Sequence, residues 1–302
     1  MSEGHTVRFL DLPPCPIEKA EVVILSLPFE KTVSYGRGAA TGPQAILDAS
    51  RQIELFDEET EIDFDRGPRI HTAEAVEPGE RSVEGYLADV ARRTSALRDR
   101  FVLSLGGEHT VTYGAARGLV PSLRDLTIVQ IDAHADLIDA LEGNRWSHGT
   151  VMRRLWDEGC RIVSIGVRSL SREEFDLARK GDRIRVFFAH RLEEEWRDAI
   201  QLLLALEGPV YLSLDVDGLD PAVLPSTGTP QPGGLSWKQA TAILEATARA
   251  PKARFIGADI VEYVASPNPP GSDLTAAKLA TRLLAYRESA RRTGRPSPDA
   301  GA

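Results

Sequence analysis

Short continuous runs of Val, Ile and Leu recur along the chain and alternate with longer stretches whose apolar residues fall at helical spacing. The runs predict strands at 22–27, 101–105, 126–131, 161–167, 184–188, 210–214 and 255–260. The stretches between them predict helices at 42–55, 82–97, 110–120, 149–158, 192–206, 236–248 and 272–287. Strands that are apolar throughout are covered on both faces. Their alternation with helices implies an α/β chain with a mostly parallel sheet and helices on both sides. Segment 57–67 is polar, acidic and irregular, and is expected to be a surface loop. From about Arg291 the chain contains Gly, Pro and Ser and few apolar residues, so one domain over residues 1–290 and a flexible tail over 291–302 are expected.

Polar residues interrupt this pattern at a recurring kind of place. GGEH follows the run ending at Leu105, DAHAD follows Ile131, and DVDGLDP follows Leu214. Each cluster lies at the C-terminal end of a predicted strand, the edge where open α/β sheets bind ligands. On extended backbone, Asp132, His134 and Asp136 at i, i+2 and i+4 point to one side, and Asp215 and Asp217 repeat the i, i+2 spacing. His109 follows two glycines, which permit a tight turn and close backbone approach. Taken singly, a histidine after Gly-Gly reads as a turn or cap residue and a DxD pair as a capping or turn pair. Taken together, the clusters bring four carboxylates and two imidazoles to one edge. So many acids would repel one another unless cations offset the charge. The mixed O/N donor set suits two divalent ions, Mn²⁺ best, with Zn²⁺, Co²⁺ or Ni²⁺ as alternatives. Two such ions roughly 3.5–4 Å apart would acidify a bridging water, which points to hydrolysis.

Composition narrows the class further. With 302 residues, 42% hydrophobic and 27% charged, the chain reads as an ordinary globular protein. Against 45 Asp+Glu stand 36 Lys+Arg, a net charge of −9 that argues against a nucleic-acid partner. The two cysteines, Cys15 and Cys160, cannot build a disulfide framework or a Cys-based zinc site, so a reducing compartment is expected. The N-terminus lacks the features of a signal peptide, and no apolar run reaches the roughly 18 residues of a membrane helix. A cytoplasmic protein without a membrane partner is the expectation.

The motifs GGEHT (106–110), DAHAD (132–136), SHGT (147–150), SLDVDGLDP (213–221), TGTPQPGG (227–234) and VEY (261–263) resemble, in order and across most of the chain, those of the ureohydrolase family of agmatinases, arginases and their relatives. The stretch LPFEKTVSYGRGAATGPQAILDAS also looks like that family's opening strand, loop and helix. The resemblance implies a single-domain, three-layer α/β/α arginase-like fold and two Mn²⁺ per chain. It assigns His109, Asp132, Asp136 and Asp215 to one ion and Asp132, His134, Asp215 and Asp217 to the other, with Asp132 and Asp215 shared. It implies attack of a bridging hydroxide on a guanidinium carbon, releasing urea and an amine. His148 matches the histidine that passes a proton to the leaving amine, and Glu262 the carboxylate that pairs with the guanidinium. Asp136 is counted with them among the catalytic groups. The family also implies a homo-oligomer, a trimer or hexamer.

Departures are few. GGEH stands where GGDH is usual, and because that acid is not a ligand Glu108 puts little in doubt. Pro225-Ser226 and Gln231 replace a common Pro-Gly and Glu and could alter the pocket rim. The loop LIDALEGNRWSHGT resembles that of agmatinases rather than arginases, and its Asp139 and Glu142 could anchor a distal ammonium. Agmatine, a small cationic guanidino substrate, is therefore favoured. N1-aminopropylagmatine is the near alternative. Guanidinobutyrate is another, for which Arg145 supplies a basic residue, and arginine is a further one. A metal-dependent amide deacetylase, which needs one zinc, and a catalytically silent homologue are the readings from other classes.

Overall fold

The computed structural model describes residues 7–180, 182–266 and 271–294. Its strands are β1 (Val22–Leu27), β2 (Phe56–Asp57), β3 (Ile62–Asp63), β4 (Ile70–Thr72), β5 (Phe101–Gly106), β6 (Thr127–Ile131), β7 (Arg161–Val167), β8 (Ile184–Phe188), β9 (Glu207–Asp215) and β10 (Lys252–Val261). Its helices are α1 (Gly42–Ser50), α2 (Val83–Ser95), α3 (Val111–Leu119), α4 (Val151–Asp157), α5 (Arg172–Lys180), α6 (Leu192–Leu204), α7 (Trp237–Ala248) and α8 (Gly271–Thr293).

Eight strands form one sheet in the order β4-β1-β5-β10-β9-β6-β7-β8, every pair parallel. Both faces are covered, as continuous apolar strands require. Alternate residues of β1 divide between two cores. Val22 and Ile24 pack with Ile46 of α1, Ala240 of α7 and Leu283 of α8. Val23, Leu25 and Leu27 pack with Tyr86 of α2, Ala115 of α3 and Met152 of α4. The expected single-domain α/β/α sandwich is the fold observed, and among the described residues no helix is long and apolar enough to cross a membrane.

The register sets up the site. Leu105 of β5, Ile260 of β10, Leu214 of β9 and Ile131 of β6 stand in line across the sheet. The residues that follow these four neighbouring strands therefore emerge side by side.

Three of the differences from the sequence reading have identifiable physical causes. Segment 57–67 is not an irregular surface loop. It contributes to a β2–β3 hairpin that buries Ile62, Phe64 and Asp57. Its acids face the buried Arg282 of α8, whose guanidinium lies 3.3 Å from Asp57, 2.8 Å from Glu58 and 2.7 Å from Glu59. Second, α5 is absent from the sequence reading; it is short and highly charged, and it opens on a capping box. There Ser171 N–H donates to Glu174 Oε2 (2.7 Å) and Glu174 N–H to Ser171 Oγ (3.2 Å). Third, residues 291–293 of the expected tail continue α8, and residues 295–302 lie outside the described residues.

Candidate active site and metal centre

Gly106 and Gly107 end β5 and let it pass under the neighbouring backbone. A Cβ on Gly107 would sit 2.1 Å from Phe29 O, so only glycine fits. The turn then delivers His109 to the strand edge. A Cβ on Gly218, just past Asp217, would lie 2.7 Å from Asp132 N, and its absence lets the β9 and β6 clusters meet. Asp136 (φ 54°) and Glu262 (φ 61°) both adopt left-handed backbone, uncommon for non-glycine residues and costing about 1–3 kcal/mol each. In each case the turn folds the carboxylate back over the sheet edge.

All six expected ligands converge. His109 Nδ1 lies 2.9 Å from Asp136 Oδ2, 3.2 Å from Asp132 Oδ2 and 3.4 Å from Asp215 Oδ2. His134 Nδ1 lies 3.0 Å from Asp217 Oδ2 and 3.6 Å from Asp132 Oδ1. The sets His109/Asp132/Asp136 and Asp132/His134/Asp217 each bring one donor atom per residue into a group compact enough for an ion, and they share Asp132. The carboxylates are braced from behind. His134 N–H and Gln130 Nε2 donate to the two oxygens of Asp132 (2.6 and 2.7 Å), Asp217 N–H donates to Asp215 (2.9 Å), and Ala133 N–H donates to Asp217 (3.0 Å).

The donor set fits divalent cations on one further observation. His109 Nε2 lies 2.8 Å from Ser213 Oγ, and that hydroxyl donates its proton to Asp259 Oδ1 at 2.7 Å. Ser213 can therefore only accept from His109, which puts the ring proton on Nε2. Although burial opposes the shift, contact with Asp132, Asp136 and Asp215 raises the His109 pKa well above the usual histidine value without metal, so Nδ1 carries either that proton or, in the neutral ring, a lone pair. It is buried without a hydrogen-bond partner and faces three carboxylate oxygens. Lone pairs facing one another in a buried cluster call for a cation between them.

Electrostatics of the bare protein say the same. Burial, reinforced by the charge of Asp132, pushes the Asp136 carboxyl up to about 7. Burial also drives Asp215 well above the carboxylate range, with Asp217 and Asp132 adding to it. Although burial opposes it, contact with Asp132 and Asp217 pushes His134 up to about 12. Without metal, the site must hold protons where divalent charge would otherwise stand.

Above the His/Asp cluster lies a cavity of about 310 Å³. Glu262, the residue just past β10, which runs between β5 and β9, lines it and is 8% exposed. Its Oε1 accepts the His109 N–H at 2.7 Å. Burial, with a contribution from nearby Glu108, pushes its carboxyl up to about 8, although the His109 N–H pulls the other way. His148 lines the same cavity, with Ser34 Oγ 2.9 Å from Nε2 and Thr32 Oγ1 3.3 Å from Nδ1. Val33, Tyr35, Ile138, Leu141 and Leu170 give its wall an apolar surface.

Asp139 and Glu142 do not line this cavity. Asp139 lies 2.6 Å from Arg154 Nη2, 3.3 Å from Arg145 Nη2 and 3.8 Å from Arg153 Nη2, and these arginines hold its carboxyl below the usual range. Glu142 sits exposed on the same loop. The acid that does reach the cavity wall, outside the ligand cluster and Glu262, is Glu174 of α5. The sequence reading also passed over Ser213 and Asp259 behind His109 and Glu108 and Thr32 beside His148. Only the i, i+2 spacing of Ser213 and Asp215 hinted at any of them.

A parallel sheet that gathers two imidazoles and four carboxylates at its carboxyl edge, beneath a cavity holding a further buried acid, is the framework of a binuclear metallohydrolase. A family model described as the Arginase family matches residues 20–286, and the chain belongs to that family, the ureohydrolases. It is 39% identical over 282 residues to the N(1)-aminopropylagmatine ureohydrolase of Thermus thermophilus, covering 90% of this chain and 92% of that protein. To the agmatinase of Pyrococcus horikoshii it is 32% identical over 281 residues, covering 91% and 95%. Among solved structures, the agmatine ureohydrolase of Thermoplasma volcanium superimposes with a TM-score of 0.81 at 31% identity, covering 92% of this chain and 94% of that one.

Proposed function

We propose that this ureohydrolase acts on cationic guanidino amines, with N1-aminopropylagmatine preferred and agmatine second. The observation that carries guanidine chemistry is Glu262, a buried carboxylate lining the cavity directly above the His/Asp cluster. A planar carboxylate–guanidinium pair there orients the guanidinium carbon toward the cluster. His109, Asp132, Asp136, Asp215, His134 and Asp217 would hold two Mn²⁺, with Asp132 and Asp215 shared. When bound, the ions supply an acidified water. Across the reaction water is added to the guanidinium carbon, the bond to the alkyl nitrogen breaks, and that nitrogen leaves with a proton that His148 takes from the added water and passes on, giving urea and the free amine.

The choice among substrates rests on charge. Among the described residues the cavity lining contains no lysine or arginine, so the carboxylate of arginine or guanidinobutyrate would meet no counter-charge there. Arg145, which favoured guanidinobutyrate in the sequence, is turned to Asp139 and Asp157. Agmatine is favoured in the sequence by the loop's resemblance to agmatinases and by Asp139 and Glu142, and neither of those two acids lines the cavity. The similarity to the Thermus enzyme supports the longer cation. One catalytic domain over residues 1–290, a trimer or hexamer and a cytoplasmic location complete the proposal.

The test is urea release by Mn²⁺-loaded protein from N1-aminopropylagmatine, agmatine, arginine and guanidinobutyrate, with metal content measured on the same sample. The expected order of kcat/KM places aminopropylagmatine first, agmatine second and the two carboxylates last. A carboxylate substrate in first place overturns the specificity. Absence of urea from all four, or cleavage of an acetylated amine instead, overturns the activity.

A further inference from the structure

Glu108 is fully buried, and four donors converge on its two oxygens. The backbone N–H groups of Lys31 and Thr32 reach Oε2, both at 2.6 Å. The hydroxyls of Thr32 (2.7 Å) and Thr110 (2.6 Å) reach Oε1. The backbone behind it is locked as well, since Gly107 and Glu108 N–H bond Leu27 O and Phe29 O. A carboxylate one methylene shorter would have to leave some of these donors. The glutamate in GGEH, which the motif comparison passed over as inconsequential, is thus a clamp that fixes the loop at Thr32.

The clamp has a chemical consequence at His148. The Thr32 hydroxyl has one proton and gives it to Glu108, so its oxygen can only accept. It takes the His148 backbone N–H at 3.2 Å and faces His148 Nδ1 at 3.3 Å. A bare Nδ1 would set two lone pairs against each other, so the proton belongs on Nδ1. Nε2 then carries the lone pair, receives the Ser34 hydroxyl at 2.9 Å, and shares the cavity with it. Burial lowers the His148 pKa, so the ring is mostly neutral and its tautomer matters.

We propose that Glu108, acting through Thr32, is a positioning residue that fixes His148 as the Nδ1–H tautomer and makes Nε2 the atom that exchanges a proton with the leaving amine. The role of Nε2 rests on the function proposed above; the tautomer does not.

The experiment is side-chain ¹⁵N NMR of the protein loaded with diamagnetic Zn²⁺, with His148 assigned by its loss in H148A, alongside kinetics of the Mn²⁺-loaded enzyme. In the wild type Nδ1 is expected to resonate as a protonated nitrogen and Nε2 as a bare one. T32V should populate the opposite tautomer and lower kcat about tenfold or more, with KM and bound metal unchanged. T32S should restore both the tautomer and kcat, and E108Q should reproduce the T32V spectrum. A wild-type ring protonated at Nε2, or a T32V protein that keeps both tautomer and kcat, overturns the proposal. Full activity in H148A would instead remove His148 from the reaction, a failure of the functional reading that leaves the tautomer measurement intact.

Discussion

Replacing Ser213 by alanine should cost this protein one metal ion before the other. Ser213 Oγ accepts the His109 Nε2 proton at 2.8 Å and hands its own to Asp259 at 2.7 Å, while Tyr211 OH donates to the other Asp259 oxygen at 2.8 Å. All four groups are buried. In Ser213→Ala the Nε2–H has no acceptor, and leaving a buried donor unpaired costs about 1–3 kcal/mol. The ring recovers part of this by moving its proton to Nδ1, where three carboxylate oxygens stand within 3.4 Å. That proton occupies the lone pair a metal needs. Metal binding must then displace it, so the same free energy appears as weaker binding. Breaking such outer hydrogen bonds lowers metal affinity by roughly 10–100-fold. His134 makes no contact with Ser213, so the loss should fall on the ion that His109 holds. The assay is competition against a chelator of known affinity, followed as two steps, with thermal unfolding of the metal-free variant to register any general damage. Equal weakening of both steps, or an unchanged first step in a folded variant, would refute the reasoning.

Stripping the metal should make stability fall as pH rises. The Glu262 and Asp136 carboxyls are pushed up to about 8 and about 7, chiefly by burial. A raised folded pKa contributes stability that is fully present below the ordinary carboxylate range and is lost as pH climbs through the folded value. The Tm of EDTA-treated protein should therefore drop between about pH 5 and pH 8, and the gain on adding Mn²⁺ should widen over the same window; a flat or rising metal-free Tm would contradict the account. Arg282→Ala leaves Asp57, 1% exposed, with the Thr60 N–H and hydroxyl (3.1 and 2.8 Å) and Lys278 at 3.9 Å as its partners, and should destabilise the fold by up to about 3–5 kcal/mol in urea unfolding. A loss under about 1 kcal/mol would show that the cluster is already solvated. Tyr35, 84% exposed yet lining the cavity, sits on a loop anchored by the Gly36 N–H to Gly228 O bond, and offers a ring face to a distal amine. Tyr35→Ala should lower kcat/KM for N1-aminopropylagmatine about threefold to fivefold and leave agmatine nearly unchanged, with Tyr35→Trp restoring the preference. Equal effects on both substrates would remove Tyr35 from recognition.

Much of the fold was legible because its signals are local. An apolar run registers a strand buried on both faces, and each of the seven predicted strands and seven predicted helices has its counterpart here. The elements that escaped were those whose stability comes from partners far along the chain. β4 is three residues on the sheet edge, the β2–β3 hairpin is held by Arg282 of α8, and α5 is announced by its cap rather than by apolar spacing. The site divides in the same way. Spacing alone puts Asp132, His134 and Asp136 in one short segment, but Asp136 reaches the cluster through left-handed backbone (φ 54°) rather than through extended alternation. Asp139 shows the limit of composition: an acid in the right loop is a candidate substrate anchor, and three arginines that a linear reading could not place stand within 3.8 Å of it.

The sequence by itself determined the donor types, their placement at strand ends and the kind of sheet, since all three depend on neighbours within a few residues. Tertiary structure decided which strand ends meet. Glu262 stands over the ligands because β10 inserts between β5 and β9, an order set by long-range packing rather than by any local preference. It also decided where protons sit. Ser213 and Asp259 fix the proton of His109, and Glu108 and Thr32 that of His148, through hydrogen bonds between residues far apart in the chain. A hydroxyl's single proton can be traced only once the fold has shown which acceptor receives it.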